Sequence, residues 1–137
     1  EETSRRMLAR TGTLKEILKG YSEQYGCRVV ASTRREVVSP TRHNFGSLIY
    51  SDGEFFEEKP YMNIEVIDRI GSGDAYVAGV LYGILKEDSV RRALEIGNAL
   101  SAVKNTVTGD VSASSIEEIE SVIASHNAEG RQDEMVR

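Results

Sequence analysis

Residues 67–76 read IDRIGSGDAY. An apolar, β-branched run, NIEVID at 63–68, leads into two glycines around a serine, and a helical run, DAYVAGVLYGILKE, leaves them. A strand, a glycine-rich turn and a helix in that order point to an open α/β sheet, with the helix folded back on the sheet to which the strand belongs. Ligands in such sheets sit beyond the carboxyl ends of the strands, which is where this loop is expected. The helix carries Ala75, Ala78, Gly79 and Gly83, so one face is small enough for close packing on a sheet or on another helix.

The flanking sequence predicts the remaining elements. TLKEILKGYSEQY at 13–25 reads as a helix, with Thr13 and Glu16 spaced as a capping box and Leu14, Ile17, Leu18 and Tyr21 forming one apolar stripe. Gly26 ends it, and CRVVAS at 27–32 reads as a buried strand. The polar, basic stretch TRREVVSPTRHNFG at 33–46, with Pro40 and Gly46, is expected to be a loop. GSLIYSDGEFFEEK predicts a hairpin turning at Asp52-Gly53. Asp88 and Ser89 are placed to cap a helix over VRRALEIGNALSAVKNT, which Gly109 breaks; Ser115 and Glu118 open another over IEEIESVIASH. One domain is expected over 1–127, followed by a polar, disordered tail over 128–137.

Bulk properties narrow the function classes. The 137 residues suffice for one domain with its own core. The chain starts with Glu1 rather than Met, and a fragment of a longer protein is expected. A formal charge of −5, with acidic residues spread along the chain, argues against the basic stripe of a nucleic-acid binder. No apolar run approaches the ~20 residues of a membrane span, and no signal peptide is visible. The single cysteine, Cys27, excludes an internal disulfide and fits a reducing, cytoplasmic setting.

The loop has its own chemistry. A helix start presents unpaired N–H groups and partial positive charge, and glycines let a ligand approach the backbone closely. GSG before a helix is therefore an anion cradle. It is not a Walker A loop, since no Gly-Lys-Ser/Thr follows, nor a dinucleotide fingerprint, since Tyr76 stands where the third glycine belongs. Asp74, on the first turn, has two readings. One is a stabilising charge at a helix N-terminus, contributing about 0.3–1 kcal/mol. The other is a base beside a phosphate cradle, the minimal kit for phosphoryl transfer to a hydroxyl.

The run D68-R69-I70-G71-S72-G73-D74, followed by a small-residue helix, resembles the second signature of the ribokinase-like (PfkB) sugar kinases, Asp-x-x-Gly/Ala-Gly/Ala/Ser-Gly-Asp. Together with VVASTRREVVSPTRHN and YSDG, it looks like the 2-keto-3-deoxygluconate kinases over residues 13–124, the C-terminal half of such an enzyme. The resemblance implies the C-terminal part of a ribokinase-like open α/β sheet flanked by helices, and ATP-dependent phosphorylation of a sugar or sugar acid with Mg2+. It assigns the catalytic base to Asp74, the anion hole to Gly71, Ser72 and Gly73, ATP-phosphate contact to Thr33, and the adenine pocket to Asn98; Arg34, nearest the strand end, is a further nucleotide-binding candidate. Asp68 and Ile70 match positions that hold a monovalent cation such as K+ in some members. Two departures are visible. Arg34, Arg35 and Glu36 follow Thr33 where glycines are common, and the magnesium-organising Asn-x-x-Glu motif is absent. The sugar lid and most substrate contacts belong to the family's N-terminal half, so residues 1–137 alone are expected to be inactive.

The other conspicuous residues have plainer readings. Arg34, Arg35, Arg42 and His43 form a basic cluster able to meet phosphates or a sugar-acid carboxylate, for which a solvated loop is the plainer reading except at Arg34; His126 is surface, Cys27 is a small core residue, and one ring of Phe55-Phe56 packs inward. Glu57-Glu58 is a solvated strand end rather than an acid/base pair. Two alternatives stand beside the sugar-acid kinase: another sugar kinase of the same class, such as a fructokinase, and a non-catalytic nucleotide-binding fragment.

Overall fold

The computed structural model describes residues 14–109 and 113–136. In chain order the elements are α1 (Leu14–Tyr25), β1 (Val29–Ser39), β2 (Arg42–Ser51), β3 (Glu54–Glu57), β4 (Tyr61–Glu65), α2 (Ser72–Glu87), α3 (Val90–Asn105) and α4 (Ile116–Val136). Thr13, the cap expected for α1, lies outside the described residues.

β2 is the spine of an antiparallel sheet. It pairs with β1 along one edge, from Val29 opposite Ser51 to Ser39 opposite Arg42. Along the other edge it pairs first with β4, Phe45 opposite Tyr61, and then with β3, Leu48 opposite Glu57. β3 and β4 thus form one edge strand interrupted at Glu58–Pro60. The break falls beside Gly46, where an added Cβ would lie 3.5 Å from that of Pro60. Asp52 and Gly53, both at positive φ (50° and 81°), turn β2 into β3 as their sequence predicts.

The stretch 33–46, expected as a loop, is instead most of a long hairpin. Its polar residues misled because β1 is an edge strand among the described residues, with little of its surface buried. Pairing with β2 satisfies its backbone whatever its side chains. Pro40 sits in the turn, outside the ladder, where its missing N–H costs nothing. Cys27 precedes β1 and is exposed, not a core residue.

Because β2 alternates, it feeds two layers. Leu48 and Tyr50 face α1 and pack with Leu14, Leu18 and half-buried Phe55. Phe45 and Ile49 face the other way, into a core with Ile64, Tyr76, Val80, Leu94 and half-buried Phe56. Both phenylalanine rings therefore pack inward, on opposite faces. α4 closes the second layer through Ile119 and Ile123 against Ile96 and Ala99, opened by Ser115, whose Oγ accepts from the Glu118 amide at 3.2 Å. The helix continues to Val136, through residues read from composition as tail. His126 is buried rather than on the surface: its ring stacks on Tyr61 at 3.8 Å and its Nε2 lies 2.7 Å from the Lys59 carbonyl.

The small face of α2 meets α3 directly. A Cβ on Gly79 would lie 2.8 Å from Gly97 Cα, and one on Gly83 would lie 2.4 Å from Ala93 Cα. No side-chain layer separates the two helices there, and the contact brings the start of α2 beside the end of α3.

Candidate active site at the start of α2

The chain leaves β4 and crosses to the end of α3, where the amides of Ile67 and Asp68 both donate to the Asn105 carbonyl, at 2.8 and 3.2 Å. Those bonds satisfy a C-terminal carbonyl that α3 cannot pair itself. The Asp68 carboxylate then closes the loop. One oxygen accepts from the Ile70 amide and the other from the Gly109 amide, each at 3.0 Å. Hydrogen bonds from those two amides, Ile70 first, hold the Asp68 carboxyl below the usual carboxylate range. Lys104 adds the opposite polarity: its Nζ donates to the carbonyls of Asp68 (3.2 Å) and Val107 (3.0 Å).

Gly71 starts α2 at φ 84°, a left-handed conformation that favours glycine. Its carbonyl accepts the first helical bond, from Ala75 at 2.9 Å, while the Ser72 amide turns back to the Arg69 carbonyl at 3.2 Å. The Gly73 and Asp74 amides fall in the first turn, where no intrahelical carbonyl is within reach. Both residues are exposed, and a Cβ on Gly73 would meet nothing within 4 Å. Asp74 makes no hydrogen bond or ion pair among the described residues, so no side-chain partner holds its carboxylate there. A phosphate oxygen fits this opening: two outward amides, a positive helix end and no side chain in the way.

Arg35 ties the loop to the sheet. From β1 its guanidinium donates to Ser72 Oγ (2.9 Å), Asn105 Oδ1 (3.2 Å) and His43 Nδ1 (2.8 Å). Arginine can only donate, so His43 accepts at Nδ1 and carries its proton on Nε2. Burial first, then the charges of Arg35 and Arg69, hold the buried His43 below the ordinary histidine pKa. Burial, then the charge of Arg69, likewise lowers Arg35. These residues are strand positions, not a solvated loop. Arg34 pairs with Gly46 and by alternation points to the α1 face, so the arginine reaching the glycine loop is its neighbour.

Thr33 and Arg34 line a cavity of about 700 Å³ with Ser32, Asn44, Ser47 and Glu58, among others; no residue of 68–74 lines it, and Arg35 borders both places. Asn98 is 1 % exposed, its Oδ1 accepting from Ser47 Oγ at 2.6 Å and its Nδ2 donating to Glu58 Oε1 at 2.8 Å. In this structure its amide is a strut between α3 and the sheet. Glu58 is half-buried rather than solvated, and burial raises its carboxyl pKa despite the Asn98 bond.

The structure thus brings Asp68, Ile70, Gly71, Ser72, Gly73 and Asp74 into one corner, and Thr33, Arg34 and Asn98 make no hydrogen bond to it. Sequence reasoning missed Arg35, Lys104 and Asn105. Lysine and asparagine at the end of an apolar helix were the available signal. Among the described residues no three His, Cys, Asp or Glu gather, so no protein cage for a divalent ion is present there. A free monovalent ion fits the corner poorly, because the Asp68 carbonyl already receives an ammonium. No helix among the described residues is long and apolar enough to cross a membrane.

The chain is similar to known proteins in sequence and in fold. The family model described as pfkB family carbohydrate kinase matches residues 26–117. A 2-dehydro-3-deoxygalactonokinase of Haloferax volcanii is 34% identical over 93 residues, covering 68% of this chain and 29% of that protein. A 5-dehydro-2-deoxygluconokinase of Clostridium botulinum is 39% identical over 59 residues, 42% of this chain and 17% of that one. The crystal structure of a 2-dehydro-3-deoxygluconokinase from Thermotoga maritima matches 80% of this chain with a TM-score of 0.76 at 29% identity, using 33% of its own length. The chain spans about a third or less of the relatives it matches.

Proposed function

Because the chain belongs to the pfkB family of carbohydrate kinases, we propose that the polypeptide carrying it phosphorylates a hydroxyl of a sugar acid, 2-keto-3-deoxygluconate, with ATP as donor. The observation that carries this reading is the exposed Asp74 carboxylate, free of hydrogen bonds among the described residues, on the first turn of α2 beside two outward amides. Relatives named for 2-dehydro-3-deoxy sugar acids support the substrate class. ATP, when bound, supplies the phosphoryl group. Asp74 takes the proton from the attacking hydroxyl, so that its oxygen bonds to phosphorus as the bond to the leaving ADP oxygen breaks. The Gly73 and Asp74 amides face the negative charge that builds on the transferred group, and Gly71 and Ser72 hold them in place. Arg35 keeps Ser72 in register and adds positive charge near the anion without leaving the sheet.

The test is ADP release by the intact polypeptide over a panel of sugar acids, with fructose included because a rice fructokinase is 29% identical over 99 residues. Asp74→Asn should lower kcat by ~10²-fold or more while the melting temperature holds, since Asn caps a helix about as well as Asp. Near-native turnover by that variant would show Asp74 to be only a helix-end charge.

A further inference from the structure

We infer that the Lys104 ammonium is the resident cation of this corner, standing where a free monovalent ion would otherwise bind, so that the order of the glycine loop does not depend on potassium. Lys104 is 0 % exposed, in the last turn of α3. Burying a charged amine is costly unless the charge is met. Here it is met by two backbone oxygens, of Asp68 at 3.2 Å and Val107 at 3.0 Å, and by no carboxylate within salt-bridge distance among the described residues.

The placement of those oxygens gives the amine its role. One belongs to the loop that opens α2, the other to the turn that leaves α3. The Asp68 side chain clamps the same two segments in the opposite sense, accepting the Ile70 and Gly109 amides. A carboxylate thus collects the N–H groups of the seam, and an ammonium collects its carbonyls. Neutral oxygens converging on one positive charge is the coordination a potassium ion uses, but here the charge arrives on a side chain and cannot dissociate. A second cation on the Asp68 carbonyl would sit against the first. Lys104 is a positioning residue: it makes no contact with Gly73 or Asp74, and acts through the loop that presents them.

The activity arm of the test rests on the kinase reading; the stability arm does not. Melting temperature and turnover of the intact polypeptide are compared in potassium, sodium and choline chloride at matched ionic strength. The native protein should be the same in all three, and stimulation or stabilisation specific to potassium would overturn the inference. Lys104→Ala leaves room for an ion: turnover should fall by ~10²-fold in choline, as for a misplaced reactive group, and recover in part with potassium or ammonium. Lys104→Met fills the space and should be impaired without recovery. A Lys104→Ala protein that matches the native one in choline, or that no small cation improves, would also overturn it. Should both variants fail to fold, the native protein's response to potassium still decides. Absence of turnover in every salt and on every sugar strikes the kinase reading alone, leaving the melting comparison to judge the cation.

Discussion

Replacing Gly83 with alanine tests the packing that carries the site. The added Cβ would lie 2.4 Å from Ala93 Cα, 2.5 Å from its nitrogen and 2.9 Å from its Cβ. Ordinary carbon contacts are ~3.5–4.0 Å, so α2 and α3 would have to part by about 1 Å. Two of the struck atoms are backbone and cannot rotate away. Overpacking of this kind costs about 1–3 kcal/mol, and the upper end applies here. Alanine returns about 1 kcal/mol of helix propensity, leaving a net loss of about 2 kcal/mol. Each kcal/mol corresponds to roughly 2–4 °C in melting temperature. Gly73→Ala is the internal control: it lies in the same helix, and its Cβ meets nothing within 4 Å. It should gain about 0.5–1 kcal/mol, yet lose turnover if the opening cradles a phosphate. Thermal unfolding followed by circular dichroism, with a denaturant titration for each variant, reads both. A Gly83→Ala protein that melts no lower than Gly73→Ala would refute backbone-to-backbone packing of α2 on α3.

Two further expectations concern pH. His43 has a folded pKa below its ordinary 6.5, so the folded state binds fewer protons than the unfolded one as pH drops through that value. Stability present above pH 6.5 should be lost on acidification, and more steeply than in His43→Gln; equal slopes in urea melts between pH 8 and 5 would dismiss a His43 held neutral by burial and by the charges of Arg35 and Arg69. Glu58 has the opposite sign: its pKa is raised above 4.5, so its contribution is present below that value and is lost as pH rises through the folded pKa. Glu58→Gln keeps an acceptor for Asn98 and should raise the melting temperature at pH 7 but not at pH 4; a lower value at pH 7 would mean that the charged form is favoured.

What could be read from the residues follows the range of the interactions. Helix ends set by neighbours a turn away were legible: Ser89 accepts from the Arg92 amide at 3.1 Å, and Ser115 caps α4 as its spacing predicts. So were the Asp52-Gly53 turn and the glycine loop itself, since positive φ and small size are written in residue identity. The β1–β2 hairpin was not legible, because its polar strand owes its order to a partner across the sheet. Nor were the roles of Arg35 and Lys104. Arg35 acts on Ser72 and Asn105, 37 and 70 residues away, and only the fold brings them together. For the same reason Glu58 and His126 looked solvated: the residues that cover them, Asn98 and Tyr61, are distant in sequence.

The direct contact of α2 with α3 has a mechanical consequence. Two helices separated by side chains can slide, because rotamers absorb the shear. Where Gly79 rests on Gly97 and Gly83 on Ala93, nothing lies between the backbones to deform. The pair therefore behaves as a stiff beam about 24 Å long, sixteen residues at the usual helical rise. A ligand that displaces Gly73 is expected to displace the pair as a unit, out to the Asp88–Ser89 corner at the far end. Any rearrangement that accompanies binding must then bend the chain outside residues 72–105, at the crossing from β4 or beyond Asn105, and both of those segments are the ones that Asp68 and Lys104 fasten.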